Sequence, residues 1–168
     1  MGYVLVLGGA RSGKSDRAVR LAVESGLPVT FIATATALDA EMTERISRHR
    51  GIRPHDWATI EEPLDLSGAI DGVATDRFLV VDCLTLWVSN LLGAGHDRQD
   101  VLASAERAAS SLAGRQGAVV SNEVGLGIVP ANELARTFRD VLGAVNAAFA
   151  GCASRSIFMV AGRALELT

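Results

Sequence analysis

A three-layer α/β fold, with helices on both faces of a central and mostly parallel sheet, follows from three features of this 168-residue chain. Short runs rich in Val, Ile, Leu and Phe recur along it, and amphipathic stretches of helical length lie between them. Strands covered on both faces read as unbroken apolar runs, and parallel strands need a crossover that is usually a helix. The first run, Val4 to Leu7, ends on a glycine-rich segment, GGARSGKS from Gly8 to Ser15, where a helical pattern opens at once.

Taken in order, the strand candidates are Val4 to Leu7, Val29 to Ala33, Phe78 to Val81, Ala118 to Ser121 and Ile157 to Val160. Helices are expected within Lys14 to Ser25, Leu38 to Arg50, Leu84 to Leu92, Val101 to Arg115 and Ala131 to Ala150. Glycine and proline interrupt the periodicity at Gly26 to Pro28, Gly51 to Pro54, Gly93 to Gly95 and Gly125 to Pro130. None of these breaks has the length of a linker, so residues 1–168 are expected to form a single domain of common size.

Composition narrows the function classes. Sixteen basic and 19 acidic residues give a net charge of -3 with no basic tract, so nucleic acid is not an expected partner. No apolar run approaches the ~20 residues of a membrane span, and MGYVLVLGG carries no cationic region ahead of its apolar stretch; a cytoplasmic protein with no membrane span is expected. Cys83 and Cys152 have neither disulfide-framework nor metal-site spacing and are expected to be reduced, partly buried thiols.

Gly8, Gly9, Ala10, Arg11, Ser12, Gly13, Lys14 and Ser15 match a Walker A loop. Small residues let consecutive backbone N–H groups close around phosphate oxygens, Lys14 reaches the β- and γ-phosphates, and the Ser15 hydroxyl suits Mg²⁺. In FLVVDCLT, four apolar residues lead to Asp82, which makes that acid the candidate second Mg²⁺ contact, the Walker B position. The alternative is an acid capping the helix that follows, since Asp is a favoured N-cap and one geometry can serve both uses. Together these features predict a P-loop NTPase (RecA-like) three-layer fold. Asn122 and Glu123 close another strand and should project from the carboxyl edge, where open α/β sheets bind ligands. Glu123 either orients a nucleophile or a metal-bound water, or is a surface acid or helix cap.

RISRHRGIRPHDW, from Arg45 to Trp57, gathers two of the three histidines and four arginines beside Asp39, Glu41 and Glu44. That cationic density suits a phosphorylated ligand, which guanidinium groups bind through paired, charge-assisted hydrogen bonds. His49 ends an amphipathic stretch, and a neutral imidazole there can attack phosphorus near neutral pH; a solvated histidine at a helix C-terminus fits the same pattern. His55, beside a proline turn, and His96, in a polar loop, are weaker candidates.

GGARSGKS, IATATALDAEMTERISRHRGIRPHDW, VVDCLTLWVSNLL and SNEVGLGIVPANELARTFRDVLGAVN together resemble, in order and spacing, the bifunctional adenosylcobinamide kinase and adenosylcobinamide-phosphate guanylyltransferase family of cobalamin assembly. The resemblance runs from Val4 to Val160. It implies a two-step transferase: ATP or GTP phosphorylates the aminopropanol hydroxyl of adenosylcobinamide, then GMP passes from GTP through a covalent guanylyl-histidine to adenosylcobinamide phosphate. His49 is the matching histidine, with Lys14 and Glu123 as further catalytic residues. Gly8 to Ser15, Arg50, Arg53, Glu61 and Asp82 are the implied nucleotide-binding residues, and Ser15 and Asp82 the implied Mg²⁺ ligands. A homotrimer is implied as well. The chain departs from the family pattern at Ala147, where glutamine is expected, and in its last segment, AGRALELT, which lacks the usual proline and lysine.

Overall fold

The first strand, β1 (Tyr3–Gly8), has no solvent-facing side. Tyr3, Leu5 and Leu7 are buried in one apolar cluster and Val6 in another, so the strand is covered on both faces and lies inside the sheet. The computed structural model describes residues 2–37, 40, 43–44, 51 and 54–167. Six further strands join β1: β2 (Val29–Ala33), β3 (Ala58–Glu61), β4 (Phe78–Asp82), β5 (Gly117–Asn122), β6 (Arg155–Val160) and β7 (Arg163–Leu167). Their order across the sheet is β3-β2-β4-β5-β1-β6-β7. Every pairing is parallel except that of β6 with β7.

Among the described residues the helices are α1 (Lys14–Ser25), α2 (Leu66–Asp71), α3 (Leu84–Gly93), α4 (Arg98–Leu112) and α5 (Glu133–Cys152). α1 lies on one face, where Ala18 and Ala22 meet Phe31, Val80 and Val120. Its small side chains let the helix start close over the sheet, where β1 hands the chain to it. The other four contribute to the larger cluster on the opposite face.

All five expected strands are present, each within one residue of its expected bounds or two at Arg155. α4 begins at Arg98, earlier than the periodicity placed it, because Asp97 and Asp100 form a capping box there; it ends at Leu112, short of Arg115, with Gly114 at φ 80° just beyond its C-cap Ala113. The expected helix from Leu38 to Arg50 falls largely outside the described residues. Two strands went unread. β3 and β7 are short edge strands whose residues are mostly exposed, so they lack an apolar run.

In the larger cluster, Phe149 of α5 receives Tyr3 and Trp87 edge-on, each at a centroid distance of 6.4 Å. The polar ends of both partners are satisfied: Trp87 Nε1 donates to the Leu64 carbonyl at 2.8 Å, and the Tyr3 hydroxyl donates to the carbonyl of Phe149. Phe149 thus links β1, α3 and α5. Phe149→Ala should lower unfolding free energy by about 3–5 kcal/mol, measured by urea titration, with the fold retained.

The sheet register decides where chemistry can occur. β1 and β5 pair from Tyr3 with Gly117 to Gly8 with Asn122, while β4 sets Asp82 beside Val120 and Ala33. The β2 to β3 pairing sets Glu61 on the far side of Ala33. Gly8, Asp82, Asn122, Ala33 and Glu61 therefore end their strands on a single edge.

Candidate active site

Two backbone conformations shape the loop after β1. Gly8 has φ 153°, and a Cβ added there would stand 2.5 Å from the Met159 carbonyl and 2.7 Å from Ser12 Oγ. Gly13, at φ 93°, lies in the left-handed region and is the N-cap of α1, with no side chain capping the helix. The first-turn N–H groups of α1 thus face the loop without a side-chain oxygen to meet them, which is the donor arrangement an anion wants. Arg11 also has a positive φ, 56°, an unusual setting for a residue with a side chain. The Ser12 carbonyl accepts from Gly162 N at 3.0 Å, so the β6–β7 turn buttresses the loop from outside. Lys14 is buried, and its ammonium donates to the Gly9 carbonyl at 2.6 Å, spanning the loop.

Ser15, one residue further, donates its hydroxyl to Asp82 Oδ2 at 3.2 Å. The two Walker candidates, 67 positions apart, are thereby in contact. Asp82 does not cap α3: the N-cap position belongs to Cys83, and no side chain bonds there. Cys83 is itself fixed by Thr34, a fully buried residue whose hydroxyl donates to the Cys83 carbonyl at 2.7 Å and accepts from its N–H at 2.9 Å. Burial, and then the neighbouring Asp82 carboxylate, push the Cys83 thiol up to about 11. It is therefore protonated at neutral pH and a poor nucleophile. Cys152, expected to be partly buried, is exposed, because the last turn of α5 points it outward.

An oxygen pair of this kind suits a hard divalent cation. Two oxygens on neighbouring positions of an octahedral Mg²⁺, each roughly 2.0–2.1 Å from it, lie about 2.9 Å apart, close to the observed Ser15–Asp82 separation. Among the described residues no cluster of three or more His, Cys, Asp or Glu could hold a metal on its own. The donor set fits an ion that is also held by phosphate oxygens.

Glu123 follows β5 and is half-buried. Its N–H donates to the Gly8 carbonyl at 3.2 Å, which joins it to the start of the phosphate loop, and its Oε1 accepts from Gly125 N. It caps no helix, since α5 starts ten residues later, at Glu133, and is capped by Asn132. Glu61 is exposed at the same edge, on the outermost strand β3, with β2 and β4 between it and β5. Of the remaining candidates, Gly9, Ala10 and Arg11 are exposed on the loop, and His55 and His96 lie at the surface. His49, Arg50 and Arg53 lie outside the described residues. Sequence reasoning passed over Thr34, Thr85, Asn90 and Asn146, polar side chains that tie strand ends to helices. The available signal was a polar residue inside an apolar helical stripe, as Asn146 is between Val145 and Phe149.

A glycine-rich turn between β1 and α1, an acid at the end of β4 in contact with it, and β5 inserted between those two strands define a P-loop NTPase fold. Solved structures with the same architecture include the flagellar accessory protein FlaH from Methanocaldococcus jannaschii, with a TM-score of 0.53 and 13% identity over 99% of this chain and 78% of that one. The RadB recombinase matches with a TM-score of 0.52 and 16% identity, over 94% of this chain and 73% of its own.

Within that fold class the chain belongs to the cobinamide kinase / cobinamide phosphate guanyltransferase family, whose model matches residues 4–167. A bifunctional adenosylcobalamin biosynthesis protein, CobP, of Pseudomonas aeruginosa is 48% identical over 97% of this chain and 95% of its own length. The corresponding CobU proteins of Escherichia coli and Salmonella typhimurium are 35% and 38% identical, each over 98% of both chains. The protein is accordingly an enzyme, a transferase of this family.

If the Gly8 conformation shapes the anion cradle, Gly8→Ala should weaken nucleoside triphosphate binding roughly tenfold or more, the effect of 1–3 kcal/mol of backbone strain. Calorimetric titration checks this, and unchanged affinity would remove the loop from the binding site.

Proposed function

We propose that this chain performs both reactions for which its family is named, at the carboxyl edge of its sheet and with the residues placed there. The observation that carries the reading is the contact of Ser15 with Asp82, which joins the phosphate loop to an acid at the end of a core strand. In the first reaction the aminopropanol hydroxyl of adenosylcobinamide attacks the γ-phosphorus of ATP or GTP, and the nucleoside diphosphate leaves. The Gly8 to Ser15 amides and the Lys14 ammonium hold the β- and γ-phosphates, and Glu123, adjoining the loop, takes the proton of the attacking hydroxyl. Ser15 and Asp82 are the residues that would hold Mg²⁺, which when bound supplies neutralising charge beside the phosphate oxygens.

In the second reaction an imidazole nitrogen of His49 attacks the α-phosphorus of GTP. The P–N bond forms as the bond to the pyrophosphate oxygen breaks. A phosphate oxygen of adenosylcobinamide phosphate then displaces His49, giving adenosylcobinamide-GDP. Arg11, Arg50 and Arg53 offset charge on the transferred group, and Glu61, at the same strand edge, contacts nucleotide. A covalent intermediate suits two bulky anionic substrates, since they need not be bound in line at once. The same proposal includes a single cytoplasmic domain that assembles as a homotrimer. No described helix is long and apolar enough to cross a membrane.

Incubation with GTP labelled in the α-phosphate, followed by denaturation, should leave acid-labile label on wild-type protein and none on His49→Ala. Equal labelling of both proteins would contradict the assignment of His49.

A further inference from the structure

β5 runs two residues past its last pairing with β4. That pairing is Asp82 with Val120, after which the chain of β4 turns away through Cys83 into α3. Asn122, two residues past Val120, therefore has no strand on that side. In an extended strand the N–H and C=O of one residue point to the same side and those of the next residue to the other. Glu123 N faces β1, where it donates to the Gly8 carbonyl. The N–H and C=O of Asn122 thus both face the side that β4 has left.

Side chains from two helices supply what the strand does not. Thr85 Oγ1, in the first turn of α3, accepts from Asn122 N at 2.8 Å, and Asn146 Nδ2, on α5, donates to the Asn122 carbonyl at 3.0 Å. Both residues are buried, and Asn146 Oδ1 has no partner. The amide of Asn146 must present its nitrogen to Asn122, because a carbonyl only accepts. Keeping a buried asparagine with only one end satisfied costs stability that an apolar residue would not.

We infer that Thr85 and Asn146 are positioning residues that fix the Asn122 peptide and, through it, the carboxylate of Glu123 against the phosphate loop. The inference rests on the proposed role of Glu123 as the proton acceptor. The two peptides that flank Asn122 are held from three directions: the one before it by α3, and the one joining it to Glu123 by α5 and, through Glu123 N, by β1. Beyond it, Gly125 N bonds Glu123 Oε1, so the side chain inherits the orientation of its backbone. Releasing one tether lets the peptide rotate and carries the carboxylate out of line with the acceptor hydroxyl, while the loop that grips the nucleotide stays in place.

The test is kinase turnover in a mutant cycle with Glu123→Gln, with thermal unfolding followed in parallel. Thr85→Val, which keeps the shape and removes the acceptor, should lower kcat about tenfold while nucleotide KM stays within about twofold. Thr85→Ser should restore kcat to near the wild-type value, and Asn146→Asp, which removes the donor, should reproduce the loss. In the Glu123→Gln background Thr85→Val should have no further effect. Full turnover by Glu123→Gln would overturn the role of Glu123 itself. An impaired Glu123→Gln with Thr85→Val and Asn146→Asp that are both silent, multiply independently with it, or act on KM would leave that role standing and overturn the positioning inference. Should Thr85→Val fail to fold, the same cycle with Asn146→Asp decides.

Discussion

Between the hydroxyl of Ser15 and a carboxylate oxygen of Asp82 lie 3.2 Å, although 67 positions of chain separate the two residues. Neither residue is unusual alone: one begins a helix and the other ends a strand. Their meeting requires that β1 and β4 stop at the same edge, with β5 between them as a spacer. Strands lie about 4.8 Å apart across a sheet, so β1 and β4 are too distant for their ends to touch directly. The loop from Gly8 to Gly13 crosses that gap and starts α1 over β5 and β4. The left-handed Gly13 and the crowded Gly8 give the loop its path.

That edge is held by side chains as much as by the sheet ladder. Thr34 grips both polar groups of the Cys83 backbone, and Asn90 reaches the carbonyls of Thr34 and Pro63. Each hydrogen bond is worth only about 1 kcal/mol net, yet a buried backbone group left unpaired costs about 1–3 kcal/mol. The strand ends are where the ladder runs out, so polar residues from the helices are needed there. Apolar packing around Phe149 keeps those helices on the sheet. The functional edge thus depends on a core that lies well below it.

Much of this was legible in the sequence because local patterns report local structure. Val4 to Leu7 reads as a buried strand from composition alone, and GGARSGKS carries its conformation in its glycines. The fold class follows from repeating that pattern. β3 and β7 were missed because exposed edge strands need no apolar run, and their pairing comes from neighbours already in place. The capping alternatives for Asp82 and Glu123 stayed open in the sequence, since an acid after a strand suits either use; the caps of α3 and α5 settle the geometry. The partners of Thr85 and Asn146 were not legible because each side chain serves a backbone 37 or 24 positions away. The segment that carries His49, Arg50 and Arg53 lies outside the described residues, so their part in the site rests on the family resemblance.

The central claim is that Ser15 and Asp82 form one metal–nucleotide site. It is tested most directly by calorimetric GTP binding with and without Mg²⁺, for wild type, Ser15→Ala, Asp82→Asn and the double variant. The gain in affinity that Mg²⁺ gives the wild type should be lost in either single variant, and the double variant should lose no more. Losses that multiply, or a full Mg²⁺ gain in Asp82→Asn, would show that the two residues act apart and would contradict the account.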